Sequence, residues 1–240
     1  NPSDISALYS LGTIFNRESK WRESIACYRR ILDIDEKDLF AAQAFADSLH
    51  AAHYLEIDDQ IITDIERCLE IEGISHESLY GPAVRIVRDL DSIASLIKLA
   101  KQDQLVLTAT NVKKGDMLKQ LSTPFFCRLL ERNVLPDWHL EILLTAIRKS
   151  LLILAVEGRL PEQLHADTLN FICALGQQCF LNEYVYSLND DEMRLADSLA
   201  SQISERLHRP DDPLPRAAIS VLSCYMSLNT IEGSNLLESH

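Results

Sequence analysis

Glycine and proline are scarce in this 240-residue chain, at 7 and 8 residues, and aromatic side chains make up 7% of it. That composition excludes a collagen-like repeat and a Gly- or Pro-rich disordered chain. Long apolar runs are also missing. The best of them, Leu151 to Val156, is bounded by Arg148 and Lys149 on one side and Glu157 on the other, far short of the roughly 20 residues a membrane-spanning helix needs. Positive charge is in deficit, with 23 Lys and Arg against 36 Asp and Glu and a net charge of −13. Nucleic-acid affinity comes mainly from Lys and Arg neutralising phosphates, so neither a nucleic acid nor a membrane is expected as partner.

The six cysteines, Cys27, Cys68, Cys127, Cys173, Cys179 and Cys224, form no CxxC pair, and no secretory leader is recognisable. The expectation is reduced thiols in a cytoplasmic protein. The chain opens at Asn1 rather than Met and enters a helical pattern within a few residues, which reads as a piece of a longer polypeptide. Charge is uneven along it: −9 over residues 1–80, +4 over 81–160 and −8 over 161–240. The basic middle, with Arg85, Arg88, Lys98, Lys101, Lys113, Lys114 and Lys119, either complements the acidic flanks, stays solvated or meets an acidic partner.

What the sequence does have is helical periodicity almost throughout. Leu8, Leu11, Ile14 and Phe15, then Ile25, Tyr28, Ile31 and Leu32, recur at three- and four-residue steps. This predicts a helical hairpin, with each helix burying one stripe, Ser3 capping the first and the second starting near Trp21. Asp38 before 39–53 and Asp58 before 61–71 predict a second hairpin around a turn at Tyr54 to Ile57. Ser75 is placed to cap a helix over 76–90 with Pro82 near its first turn, and a further helix covers 91–101. Residues 105–111 show β-branched alternation and read as a connector.

Past Gly115 the helices lengthen. Asp137 precedes a stripe of Leu140, Leu143, Leu144, Ile147, Leu151 and Leu154 that becomes apolar all round at its end, so this helix should be central and buried. Gly158 stops it. Pro161 is placed to start the next, which carries Leu164, Thr168, Phe171, Ile172, Leu175 and Cys179 on one side. Asn189 with Glu192 three residues on looks like a capping box before Met193 to Leu207. Pro210, Pro213 and Pro215 mark a loop before a last pair over 216–228 and 231–237.

The spacing of Leu8, Leu11, Gly12, Phe15, Ser24 and Tyr28 resembles the tetratricopeptide repeat, a 34-residue helical hairpin, with Glu36 where a proline is usual. One period later Ala42, Phe45, Ala46 and Leu49 fit the first helix of a second repeat, while Asp58 stands where a small residue belongs, so that repeat is degenerate. Roughly three repeats are needed for a self-supporting array, which requires the helices from His76 onward to cover the second hairpin. The resemblance implies an all-α fold: a short solenoid of helical hairpins over 1–75, connecting helices over 76–115, and an α-helical regulatory domain over 116–240. It further implies a groove lined by Ser6, Tyr9, Thr13, Asn16, Arg17, Gln43, Asp47 and His50 that takes a protein or peptide segment. The Lys and Asn pair that some family members use to hold a peptide carboxylate is not evident.

The run Phe171 to Tyr186, followed by Asp190, Asp191 and Glu192, is similar to the helical region found between tetratricopeptide repeats and a class I S-adenosylmethionine-dependent methyltransferase domain in bacterial proteins. That resemblance implies a substrate-recruiting and regulatory region without a cofactor of its own, and a catalytic domain using S-adenosylmethionine beyond His240. The alternative is a free-standing scaffold. The strand and Gly-rich turn that such a cofactor site needs do not occur in these 240 residues.

Other chemical candidates are few. His50 and His53 lack a third ligand at helical spacing, so no metal site is expected. His165 and Asp167, two apart, should point to different sides of a helix. Cys173 and Cys179, six apart, are expected to be buried packing residues and not a pair. Gln177, Gln178, Asn182, Glu183 and Tyr184 form a polar cluster in a segment that otherwise reads as core, either a buried network fixing helix register or a ligand site.

Overall fold

The computed structural model describes residues 4–53, 55–56, 58–115, 117–161, 163–209 and 216–239. The chain is all-α: among the described residues there are twelve α-helices, two 3-10 turns and no strand. No helix among them is long and apolar enough to cross a membrane. The chain divides into two compact units, 1–89 and 90–240.

The first unit holds α1 (Ile5–Arg17), α2 (Trp21–Ile34), α3 (Leu39–Ala51), α4 (Asp59–Glu70) and α5 (Glu77–Asp89). Asp38 and Asp58 cap α3 and α4 through the backbone N–H groups of Ala41 and Ile61, each cap contributing about 1 kcal/mol. Asp4 caps α1 by accepting from Ala7, the role expected of Ser3, which lies outside the described residues. Tyr54 and Ile57 of the expected turn also lie outside them. α2 packs between α1 and α3, and α5 packs on α3 and α4, covering the second hairpin. At Gly12 the first two helices nearly touch: a Cβ there would sit 2.8 Å from Tyr28 Cζ, and Ser24 Oγ donates to Gly12 O at 3.1 Å.

Two expectations for this unit fail. Gly12 is the buried residue of α1, while Leu11 and Ile14 of the expected stripe remain 45% and 47% exposed, because among the described residues α1 packs mainly on α2. Helix α5 runs from Glu77, one residue past the expected start, and Pro82 at its sixth position is already inside it rather than in its first turn, leaving the Ser78 carbonyl without its helical bond. Ser75 instead donates its N–H to Gln43 Oε1 at 2.7 Å.

The second unit contains α6 (Asp91–Lys101), α7 (Ala109–Lys114), α8 (Pro124–Arg132), α9 (Trp138–Val156), α10 (Ala166–Leu181), α11 (Asp190–Leu207) and α12 (Arg216–Leu222), then 3-10 turns at Leu228–Thr230 and Ser234–Ser239. α9 is contacted by α6, α11 and α12. Its Leu140, Leu143, Leu144 and Leu151 are fully buried, each stabilising the fold by about 1.5–3 kcal/mol relative to exposure. α10 packs on α8 and α12.

Several boundaries differ from the sequence reading. Residues 105–107 are non-helical, but Ala109 starts a short helix because Thr108 and Asn111 close a full capping box. α8, opened by Thr123 as cap and Pro124, has no counterpart in the sequence reading. Pro161 does not start a helix: α10 begins at Ala166 with His165 as its cap. The last pair shrinks to α12 and the 3-10 turns, and the Pro210, Pro213 and Pro215 loop lies outside the described residues.

Candidate functional site

In the first unit the residues expected to line a groove divide into bonded and open groups. The Tyr9 hydroxyl donates to Asp38, joining α1 to the cap of α3. Burial, helped by that bond and by the Asp38 charge, holds the phenol protonated far above its ordinary range. Ser48 Oγ lies between Asn16 Oδ1 at 2.9 Å and Ala44 O at 2.6 Å. Gln43 Nε2 donates to Asp47 Oδ1 at 2.8 Å, which also accepts from Ser78 Oγ of α5 at 2.8 Å. Tyr9, Asn16, Gln43 and Asp47 therefore tie α1, α3 and α5 side by side. Ser6, Thr13, Arg17 and His50 are exposed, and His50 stacks edge-on with His53, ring centroids 5.9 Å apart. Phe40, one turn before Gln43 on α3, is 82% exposed.

The polar cluster of the second unit is likewise split. Gln177 and Glu183 are exposed and Tyr184 is half-buried. Gln178 is fully buried; its amide, oriented to satisfy both ends, donates to Leu130 O and Asn133 O and accepts from Leu135 N. It closes the C-terminal end of α8 onto α10, which is a structural role. His165 and Asp167, contrary to expectation, meet with Nδ1 3.3 Å from Oδ2, because His165 precedes the helix and folds back as its cap. Both are exposed.

The most unusual chemistry lies at residues that the sequence reading passed over. Arg148 of α9 has a fully buried side chain, 0% exposed, with Glu192 of α11 at 4% and 3.7 Å away. Nη2 donates to Ser187 O at 3.0 Å. The guanidinium lies 4.6 Å from the ring centroid of Tyr225 and 5.7 Å from that of Tyr186. Tyr225 donates its hydroxyl to Glu192 Oε1 at 3.1 Å. Among the described residues Nε and Nη1 have no hydrogen-bond acceptor, and the guanidinium borders the Cys179 thiol. A buried cation is tolerable only with compensation, here one carboxylate, one carbonyl, two aromatic faces and a polarisable sulfur.

Cys179 and Cys224 are both buried, and Cys224 Sγ lies 3.5 Å from Ser220 O and 4.0 Å from Ile172 O. The neighbouring Cys224 thiol and the Arg148 charge outweigh burial and draw the Cys179 thiol below its ordinary value. Cys224, beside Cys179 and buried, is held well above its own. The expected reading of Cys173 fails, since it is exposed. Ser187 and Glu192, which hold Arg148, also line a cleft of about 660 Å³ between the 105–107 segment and α9, with Glu141, Thr145 and Lys149 along its other wall.

A signal for this cluster exists in the sequence. Arg148 follows Leu144 by four residues and precedes Leu151 by three, so it stands on the buried stripe itself. No family model, curated protein or solved structure matches this chain.

Proposed function

We propose that this chain is a non-catalytic protein-interaction region, of tetratricopeptide type in its first unit, which recruits a protein segment to a larger polypeptide. The observation that carries this reading is the shared face of α1, α3 and α5. Its hydrogen-bonded rungs fix the helices side by side, while Ser6, Thr13, Arg17 and the almost bare ring of Phe40 stay open. An exposed aromatic on a rigid helical face is the kind of anchor that binding energy concentrates on. Gly12 against Tyr28 and Ser24 on Gly12 O supply the close helix crossing expected of such a repeat. The expected partner is a peptide segment with an apolar anchor and basic flanks, given the −9 charge of residues 1–80.

The larger polypeptide is proposed to be a cytoplasmic S-adenosylmethionine-dependent methyltransferase, on the likeness of residues 171–192 to the helical region of such proteins. A free-standing scaffold using the same face is the second reading, favoured by the same Phe40.

A peptide array probed with the wild-type chain and with Phe40→Ser/Arg17→Ala tests the interaction. Bound peptides lost by the variant support the groove, whereas an unchanged array defeats it. Calorimetry with S-adenosylmethionine separates the two larger contexts: binding by a parent polypeptide and not by residues 1–240 supports the methyltransferase, and binding by neither leaves the scaffold.

A further inference from the structure

The 105–107 segment owes its extended form to the two helix ends it joins. Asp103, with φ at 54°, turns the chain out of α6, and the Gln104 N–H closes that end by donating to Leu99 O at 3.0 Å. Thr108 then caps α7, so the residues between belong to neither helix. Leu105 and Leu107 are buried while Val106 between them is 64% exposed, the two-residue alternation of a strand. Among the described residues no N–H or carbonyl of 105–107 takes part in a hydrogen bond. An extended segment with its backbone unpaired is a template for another strand.

This segment forms one wall of the cleft of about 660 Å³ in the second unit, a volume that suits a short ligand. On the other wall α9 presents Glu141, Thr145 and Lys149, each four residues after the last and so about 6 Å further along the helix. Alternate residues of a strand stand about 6.7 Å apart on one face. A strand lying along α9 therefore meets these three side chains in turn with its residues i, i+2 and i+4. Glu141 and Lys149 have no ion-pair partner among the described residues. Thr145 also differs from other helical hydroxyl residues. Ser10, Thr63, Ser95 and Ser201 each donate to the carbonyl four residues back, whereas Thr145 Oγ1 is buried and has no hydrogen-bond partner among the described residues.

We propose that this cleft binds an extended peptide that adds as a strand to residues 105–107, with a basic residue, then Ser or Thr two positions on, then an acidic residue two further on. The basic side chain pairs with Glu141, the central hydroxyl bonds Thr145 Oγ1 and the acidic side chain pairs with Lys149, while Ile142, Ala146 and Ile153 provide the apolar floor. Opposite charges at the two ends fix the direction in which the peptide lies. Backbone pairing supplies affinity and the alternate side chains supply specificity. The site lies within the second unit and does not depend on the face of α1, α3 and α5.

The test is calorimetry of the full chain with the peptide acetyl-Lys-Val-Ser-Val-Glu-amide. One-to-one binding is expected, with slowed amide hydrogen exchange at 105–107 in the complex. The same peptide methylated on its three central amide nitrogens keeps every side chain but cannot donate to a neighbouring strand, and is expected to bind at least about tenfold more weakly. Glu141→Gln/Lys149→Gln changes two side chains that bond nothing in the free chain, and should weaken binding by about tenfold. Thr145→Val keeps the shape of the wall and should weaken it by about threefold or more. Phe40→Ser, in the first unit, should leave it unchanged. The absence of heat at millimolar peptide would overturn the proposal, as would equal affinity for the methylated peptide, unaltered binding by the Glu141 and Lys149 double variant or by Thr145→Val, or loss of binding in Phe40→Ser.

Discussion

Glu192 stands three residues after the helix cap Asn189 and yet gives its carboxylate to Arg148, 3.7 Å away across the interior, instead of closing a reciprocal capping box. Asn189 performs its half of the cap alone, accepting from the Glu192 N–H at 2.8 Å. The Glu192 side chain turns inward because an uncompensated guanidinium with no exposed surface costs several kcal/mol, against about 1 kcal/mol for a helix cap.

Removing one member of this pair should therefore be far worse than removing both. Glu192→Gln is expected to destabilise the chain by about 3–5 kcal/mol, and Arg148→Met/Glu192→Leu by much less. Urea titrations of the two variants, followed by circular dichroism, check this, and equal losses would show that the pair is screened in solution.

Much of the fold was legible because it rests on local signals. Asp38, Asp58, Asp137 and Asn189 each cap the helix their positions announced, since a cap is decided within four residues. The misses have non-local causes. Leu11 and Ile14 sit on an apolar stripe, but a stripe is buried only where a neighbour covers it, and among the described residues α1 packs mainly on α2. Pro161 satisfies the rule for a helix start, yet His165 can cap and Pro161 cannot. The Arg148 cluster draws on α9, α11, the 187 loop and the segment after α12, and its sequence trace was one cation on a leucine stripe. The polar cluster was visible as polar, but the bonds of Gln178 to the 130–135 segment are something its own helix gives no hint of.

Gln178→Leu should cost about 2–4 kcal/mol. The change keeps the volume but leaves the carbonyls of Leu130 and Asn133 and the N–H of Leu135 without partners, at about 1–3 kcal/mol for a buried unsatisfied group. Gln177→Leu, on the exposed side of the same turn, should shift stability by no more than about 0.5 kcal/mol. Thermal unfolding of both variants distinguishes a structural amide from a ligand-binding one, which could be replaced without loss of stability.

Gly12→Ala places a methyl group 2.8 Å from Tyr28 Cζ and 2.9 Å from Cε1. The Tyr28 ring is buried between α1 and α2, so it cannot swing clear, and overpacking of this kind costs about 1–3 kcal/mol. Alanine recovers up to about 1 kcal/mol through helix propensity, so a net loss of about 1–2 kcal/mol is expected. A second change, Tyr28→Leu, should recover part of it, which a double-mutant cycle measures.

Alkaline pH should weaken the fold through its buried thiols. Burial raises Cys68 to about 12 and Cys127 to about 11 from an ordinary value near 9. Below about pH 9 both states keep these protons and the thiols have no effect on the pH slope. Above it the unfolded chain releases them while the folded chain does not, so stability falls as pH rises through the gap, by up to about 1.4 kcal/mol per pH unit for each thiol. Cys179, drawn below its ordinary value, acts in the opposite sense: its contribution grows as pH rises toward about 9 and is complete there. Urea midpoints measured at about pH 8 and about pH 10 should therefore drop in the wild type and drop less in Cys68→Ala. An equal drop in both would mean that the Cys68 thiol ionises as readily in the folded chain as in the unfolded one.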